Sequence, residues 1–236
     1  MIKCFRLKPV LGVLAVILAS VLFSLGVVAV TNFKAEPKFS YTIVLDAGHG
    51  GRDNGCSGVN TGVAESELNL SVTKKLQKYL TDFGFNVVLT RTNSDGLYSQ
   101  NVDNYKKDDM EKRAKIIENA NADMVISIHM NSFPSPTEKG AQVFFDATND
   151  ASKALAQALQ TQLIADIENA RKSTQKGDYY ILNCATVPTA IVECGFLTNP
   201  EEELLLMDTD YQSKLAYSIF CGVVRYLSAT DTTIMQ

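Results

Sequence analysis

The chain contains only two histidines, and both follow runs of strand-like residues. His49 lies in the glycine-rich turn of VLDAGHGGRDNG, directly after the β-branched and apolar stretch YTIVLD at 41–46. His129 ends the stretch DMVISIH, and Glu193 lies near the end of TAIVEC. Imidazole nitrogens and carboxylate oxygens are ligands for zinc in hydrolytic sites, which keep one coordination position open for water. Metal or acid–base chemistry at the ends of strands is therefore the first hypothesis.

The glycine turn around His49 has an alternative interpretation as a phosphate-binding loop, because glycines allow positive φ and close approach to a ligand. The turn lacks G-x-x-x-x-G-K-[ST], and Asp53 stands where G-x-G-x-x-G requires its third glycine. Phosphate binding is therefore disfavoured. Glu65, at the start of the next predicted helix, is the candidate third zinc ligand, although helix capping and the helix dipole also favour a carboxylate there.

Strand-like and helix-like segments alternate along the chain, which predicts an α/β fold. The expected architecture has three layers: a mainly parallel, twisted sheet with helices on both faces, of the phosphorylase/hydrolase-like kind. The predicted strands are 41–46, 85–90, 123–129, 140–146 and 189–194, and the predicted helices are 66–83, 108–121, 149–170 and 211–227. Ligands of such sheets bind outside the carboxyl ends of the strands, where the two histidines and Glu193 are expected to meet.

The N-terminal region predicts a membrane segment. No charged residue occurs from Pro9 to Phe33, and the apolar run Val10–Val30 is long enough to cross a bilayer as a helix. The basic residues that precede it place the N-terminus in the cytoplasm and the rest of the chain outside. A cleaved signal peptide is the competing interpretation. The predicted organisation is a signal anchor or signal peptide at 1–31, a linker at 32–40, a catalytic domain at 41–228 and a tail at 229–236.

Composition bears on the size of the core, on nucleic-acid binding and on disulfide pairing. With 46% apolar residues, 236 residues suffice for one sizeable core. Acidic residues outnumber basic ones by 26 to 22, a poor match for nucleic acid, so no nucleic-acid partner is expected. The five cysteines are odd in number, and their pairing cannot be read from the sequence.

Five motifs, in this order and at these separations, resemble the zinc-dependent N-acetylmuramoyl-L-alanine amidases of the amidase_3 type. They are IVLDAGHGG, ESELNL, VVLTR, ISIHMN and IVECGFLTNPEE, and the resemblance covers about residues 40–228. It implies one Zn²⁺ per chain, with His49, Glu65 and His129 as ligands and Glu193 as the catalytic residue. Glutamate as general base would take the proton of a zinc-activated water and pass it to the leaving amine.

Other residues are weaker candidates. Asp46 is a candidate for a hydrogen bond to a metal-bound imidazole, or simply a turn residue after a strand. Asn131 and Arg91 are candidates for substrate contact, with a structural ion pair preferred for Arg91. Cys56 is a weak candidate for a soft metal ligand. The segment DYYIL at 178–182 could line a groove, but core packing is the preferred interpretation.

The resemblance implies hydrolysis of the amide between the lactyl group of N-acetylmuramic acid and the L-alanine of the peptidoglycan stem peptide. The compact form with one membrane segment is most similar to the spore-cortex branch, whose action leads to muramic-δ-lactam and germination. We therefore expect an extracytoplasmic enzyme, anchored or secreted, on the forespore or cortex side of a spore-forming bacterium. Its expected partners are the peptidoglycan glycan strand with its stem peptides, the membrane and an activating protein. The alternatives are a vegetative autolysin and a catalytically silent wall-binding domain.

Overall fold

A computed structural model describes residues 38–231 and 234. The expected membrane helix lies outside the described residues, as does most of the expected linker. Among the described residues, no helix combines the length and the apolar character needed to cross a membrane. The last helix runs to Thr230, two residues beyond the predicted end of the catalytic domain at 228.

The described chain alternates strands and helices, as predicted. The strands are β1 (Thr42–Ala47), β2 (Asn86–Leu89), β3 (Met124–Asn131), β4 (Gln142–Phe145), β5 (Gln175–Lys176) and β6 (Thr189–Phe196). The helices are α1 (Glu65–Phe83), α2 (Tyr105–Asn119), α3 (Asp150–Asp166), α4 (Tyr180–Asn183), α5 (Pro200–Met207) and α6 (Thr209–Thr230).

All six strands form one sheet in the order β2, β1, β3, β6, β4, β5. Every neighbouring pair is parallel except β4 and β6, which are antiparallel. The α/β, mainly parallel sheet predicted from the sequence is therefore confirmed. Since β1, β3 and β6 are adjacent and parallel, their carboxyl ends lie side by side at one edge.

Alternating strand residues contribute to two apolar clusters, one on each face of the sheet. Ile43 and Leu45 belong to a large cluster that also contains the buried residues of α1, α3 and α6. Val44 belongs to a smaller cluster with Ile117 of α2 and Ile181 of α4. Helices therefore flank both faces, and each fully buried leucine or isoleucine stabilises the fold by about 1.5–3 kcal/mol.

Side-chain capping explains two of the helix starts that the sequence prediction misses. Asn104 accepts a hydrogen bond from the Lys107 amide, so α2 begins three residues before the predicted 108. The short helix α5 was not predicted at all. Asn199 caps it by accepting from two backbone amides, and Pro200 follows at the first helical position, a favoured combination at a helix start.

A buried ion pair between β1 and α2 lies beneath the carboxyl edge of the sheet. The Asp46 carboxylate accepts hydrogen bonds from Thr90, Ser127 and, at 2.5 Å, the Arg113 guanidinium. Among the described residues no hydrogen bond joins Asp46 to an imidazole, and its carboxylate is instead held by Arg113, Thr90 and Ser127. Asp46 is 2% exposed and Arg113 is 1% exposed.

The ionised form of Asp46 is favoured in the folded protein. Burial alone would raise its pKa, but the charge of Arg113 and the hydrogen bonds from Ser127 and Thr90 outweigh burial and lower the pKa from 3.8 to about 2. A carboxyl whose folded pKa is depressed stabilises the protein fully above its unfolded pKa, and that contribution is lost as the pH falls through the folded pKa.

We predict that Asp46→Asn lowers the free energy of unfolding at pH 7 by about 3 kcal/mol, because Arg113 loses a buried partner. The variant should also show a shallower loss of stability between about pH 4 and pH 2 than the wild type. Urea unfolding of the full-length protein across this range measures both effects. Asp82→Asn, which removes an exposed pair with Lys78, is the control and should change little. Equal acid slopes in Asp46→Asn and wild type would contradict the assignment.

Candidate metal centre and active site

The turn after β1 brings His49 over the sheet edge in a left-handed conformation, with φ of 62° at His49 and 60° at Gly51. Gly48 permits a close approach, since a Cβ there would lie 2.2 Å from ring atoms of His129. A Cβ at Gly55 would lie 2.3 Å from a carboxylate oxygen of Glu65. The glycines therefore make room for the three candidate ligands.

His49, Glu65 and His129 converge although they are distant in sequence. Glu65 Oε1 lies 3.2 Å from His49 Nε2 and 3.0 Å from His129 Nδ1. One ligand atom from each residue lies within 4.8 Å of the others, and the cluster is the only group of this kind among the described residues. The two rings meet edge to face, 5.0 Å between centroids. This arrangement offers a cation two imidazole nitrogens and a carboxylate oxygen.

Glu65 is held toward the two histidines rather than used as a helix cap. Its carboxylate accepts hydrogen bonds from the backbone amides of Cys56 and Met130 and from the Asn69 side chain. Asn69 lies one helical turn further along α1 and also donates to the Gly48 carbonyl. The capping interpretation of Glu65 is therefore not supported, because both bonded amides belong to the neighbouring loop and strand.

The charges of the cluster favour a bound cation. Burial would raise the pKa of Glu65, but the hydrogen bonds and charges of His129 and His49 hold it well below its usual range. Burial would lower the pKa of His49, whereas Glu65 and Asp53 raise it to about 9. A site that stabilises a proton on His49 next to an ionised carboxylate is also suited to a metal ion that replaces this proton.

Glu193 lies opposite His129 in the parallel register between β3 and β6. Its Oε2 atom is buried and has no hydrogen-bond partner among the described residues. Burial raises the pKa of Glu193 to about 7, with the Glu65 charge adding to the shift and the histidine charges opposing it. A carboxylate with this pKa can accept and return a proton near neutral pH.

A cavity of about 310 Å³ opens beside these residues, and His49, His129 and Glu193 all line it. Tyr179 and Tyr180 form part of its wall and are 45% and 53% exposed. The preferred interpretation of 178–182 as core packing is therefore wrong for the two tyrosines. It is confirmed for Ile181 and Leu182, which are buried.

Residues 43–225 match the family model Amidase_3, described as N-acetylmuramoyl-L-alanine amidase. The chain belongs to this amidase family. The germination-specific N-acetylmuramoyl-L-alanine amidase of Bacillus subtilis (strain 168) is 35% identical over 190 residues, which cover 79% of each chain. LytC, another N-acetylmuramoyl-L-alanine amidase of that strain, is 31% identical over 84% of this chain but only 38% of its own length.

Solved structures agree with this assignment. The CwlD amidase from Clostridioides difficile, in complex with the GerS lipoprotein, aligns with a TM-score of 0.77 and 35% identity over 80% of this chain and all of that chain. The catalytic domain of CwlV from Bacillus (Paenibacillus) polymyxa var. colistinus aligns with a TM-score of 0.71 and 29% identity, over 80% of this chain and 98% of that chain. The protein is an N-acetylmuramoyl-L-alanine amidase that acts on peptidoglycan outside the cytoplasm, and its His-Glu-His cluster is consistent with the zinc site of the family.

Three weaker candidates of this amidase have other contacts. Arg91 donates to the carbonyls of Ala47, Gly48, Asn93 and Ser66. Its guanidinium therefore holds the glycine turn through neutral groups instead of the predicted ion pair. Asn131 is not among the described residues that line the cavity, and its side chain accepts from the Ser132 amide.

Cys56 is also placed differently from a metal ligand. Its thiol faces the Met130 carbonyl at 3.6 Å, and it is not part of the candidate ligand group. Burial raises the pKa of this thiol well above its usual range, which disfavours the thiolate that a metal requires.

Two residues of the amidase site were not identified from the sequence. Asp53 Oδ2 lies 2.8 Å from His49 Nδ1, and Lys106 Nζ lies 3.0 Å from Asp53 Oδ1. The available signal was an acidic residue four positions after the histidine of the glycine turn, in GHGGRD. Lys106 gave no signal, because its contact depends on how α2 packs against that turn.

Proposed function

We propose that this amidase hydrolyses the bond between the lactyl group of N-acetylmuramic acid and the L-alanine of the stem peptide, with Glu193 as general base. The main support is that the Oε2 atom of Glu193 is buried and has no hydrogen-bond partner among the described residues. It lies in the cavity shared with His49 and His129. A buried acceptor without a partner is costly unless its function needs a free oxygen.

His49, Glu65 and His129 fit a single zinc ion as its protein ligands. The donor set is two imidazoles and one carboxylate, which is a known catalytic zinc combination. Asp53 accepts from His49 Nδ1, which leaves Nε2 facing Glu65 and free to coordinate. When bound, zinc would acidify a water molecule and polarise the amide carbonyl.

The role of Glu193 follows from its position and burial. It takes the proton of the attacking water and delivers it to the nitrogen of the departing L-alanine, so the same carboxyl acts first as base and then as acid. Its raised pKa of about 7 suits the second step, in which the carboxyl must give up a proton. With a cation held by the three ligands, this pKa would fall and Glu193 would be ionised more readily for the first step.

The cavity walls suit a substrate with both apolar and polar faces. Tyr98 and Tyr105 pack edge to face on the side of α2, and Tyr179 and Tyr180 line the side of α4. Aromatic rings that line a cavity provide large contact area at low conformational cost. We assign these four tyrosines to contacts with the saccharide and peptide portions that flank the scissile amide.

We predict that the full-length protein with zinc releases stem peptides beginning with L-alanine from purified peptidoglycan. Mass spectrometry of the soluble products identifies both the peptides and the remaining glycan strands. Stem peptides still joined to muramic acid would contradict the proposal. Binding to the wall without any release would instead support the silent wall-binding alternative.

Two variants complete this experiment. His129→Ala should lose both zinc and peptide release, because one of three protein ligands is removed. Cys221→Ala, in helix α6 and outside the candidate ligand group, is the control and should keep zinc and activity. Full zinc binding by His129→Ala would show that the ligand set is assigned wrongly.

We further propose that the enzyme acts in maturation of the spore cortex, on the forespore or cortex side, where removal of stem peptides leads to muramic-δ-lactam. The similarity to the germination-specific amidase of Bacillus subtilis, at 35% identity, supports this role. The proposed organisation is an anchor or signal at 1–31, a linker at 32–40 and the catalytic domain at 41–228. The CwlD structure is a complex with the GerS lipoprotein, which supports a protein partner for this chain too.

Deletion of the gene in its own bacterium should give spores whose cortex lacks muramic-δ-lactam, and wild-type protein should restore it. Chromatography of enzymatically digested cortex measures the lactam. His129→Ala should fail to restore it, since the lactam requires amidase activity. Normal lactam together with altered vegetative wall turnover would favour the autolysin alternative.

A further inference from the structure

His49 is held by contacts on both its ring and its backbone, and both lead to helix α2. Arg113 of α2 donates from Nη2 to the His49 carbonyl at 2.6 Å. On the ring, Nδ1 lies 2.8 Å from Asp53, whose other carboxylate oxygen lies 3.0 Å from Lys106 in the first turn of α2. The candidate ligand is therefore connected to α2 once directly and once through Asp53.

We propose that Asp53 and Lys106 form a positioning pair that fixes the ring of His49 and sets the affinity of the centre for zinc. The inference rests on the zinc site proposed above. Neither residue touches the candidate metal position, because Nδ1 of His49 faces Asp53 while Nε2 faces Glu65. Their effect on the metal therefore passes through the imidazole.

The geometry of Asp53 is fixed by the turn itself. The Gly50 amide donates to the Asp53 carbonyl at 2.8 Å, and the Asp53 amide donates back to the Gly50 carbonyl at 3.1 Å. This reciprocal pair closes the loop that begins at His49, so the carboxylate is held beside the ring that it accepts from. Each oxygen of the carboxylate then has its own partner, His49 on one and Lys106 on the other.

Such a carboxylate acts on a ligand histidine in two ways. It selects the tautomer that carries hydrogen on Nδ1, and it makes the other nitrogen a stronger donor to a metal. Loss of a partner of this kind weakens metal binding by about 10- to 100-fold. Lys106 is 61% exposed, and an exposed ion pair contributes little to folding. Its contact is therefore more important for holding the Asp53 carboxylate than for stability.

The test is the zinc dissociation constant of the full-length protein, measured by competition with a chelator. Asp53→Asn should weaken zinc binding by about 10- to 100-fold. Lys106→Met should weaken it by about two- to fivefold, as expected for loss of an exposed charge contact. The double variant should bind zinc no more weakly than Asp53→Asn, because Lys106 acts through Asp53.

Lys107→Met is the matched control on the same helical turn. Lys107 pairs with Glu111 at 3.7 Å and is 73% exposed, so its removal should leave zinc affinity unchanged. Bound cobalt provides a second measurement, since its visible absorption reports ligand geometry. The cobalt spectrum should change in Asp53→Asn and stay as in wild type in Lys107→Met.

Zinc affinity of Asp53→Asn within twofold of wild type would overturn the inference. Losses that multiply in the double variant would also overturn it, since Lys106 would then act independently of Asp53. Thermal unfolding of the zinc-free variants shows whether a loss of affinity comes from unfolding. If Asp53→Asn fails to fold, Lys106→Met still tests the inference, because it changes an exposed side chain. If wild type binds zinc but releases no stem peptides, the proposed function fails while the affinity comparison still decides this inference.

Discussion

The arrangement of the site depends on the contacts of the buried Arg113 guanidinium. It pairs with Asp46 at 2.5 Å and Asp109 at 2.6 Å, and it donates to the carbonyls of Ala47 and His49. A buried charge is tolerated only when it is paired and hydrogen-bonded. The pair with Asp109 lies within α2, whereas the contacts with Asp46, Ala47 and His49 join α2 to the end of β1 or the turn beyond it. The position of His49 is therefore tied to the packing of α2 against the sheet.

The parallel register of the central strands provides the second half of the site. Because β3 and β6 are neighbours, His129 and Glu193 lie opposite each other without any loop to position them. The environments of Glu65 and Glu193 shift the pKa values of these two carboxyl groups in opposite directions. Contacts with both histidines keep Glu65 ionised, whereas burial raises the pKa of Glu193 to about 7. One acid is thereby suited to hold a cation and the other to move protons.

Much of this could be predicted from the sequence, since it depends on local periodicity and on strand ends. The alternation of strands and helices predicts the sheet. Because ligands of such sheets bind at the carboxyl ends of the strands, the sequence also predicts that His49, His129 and Glu193 lie at one edge. The contacts of Arg113 and Lys106 could not be predicted, because they depend on how α2 packs across the sheet. The sequence identifies Asp46 and Arg91 as candidates but does not identify their partners, because it does not show which buried groups face each other.

We propose that Glu193 moves protons while His49, Glu65 and His129 hold the metal. The most direct measurement is zinc content and amide hydrolysis of Glu193→Gln, side by side on the same full-length preparation. We expect full zinc occupancy with hydrolysis reduced by about 10²- to 10⁴-fold, the usual contribution of a general acid–base group. Hydrolysis at the wild-type rate with zinc bound would show that Glu193 does not have this role.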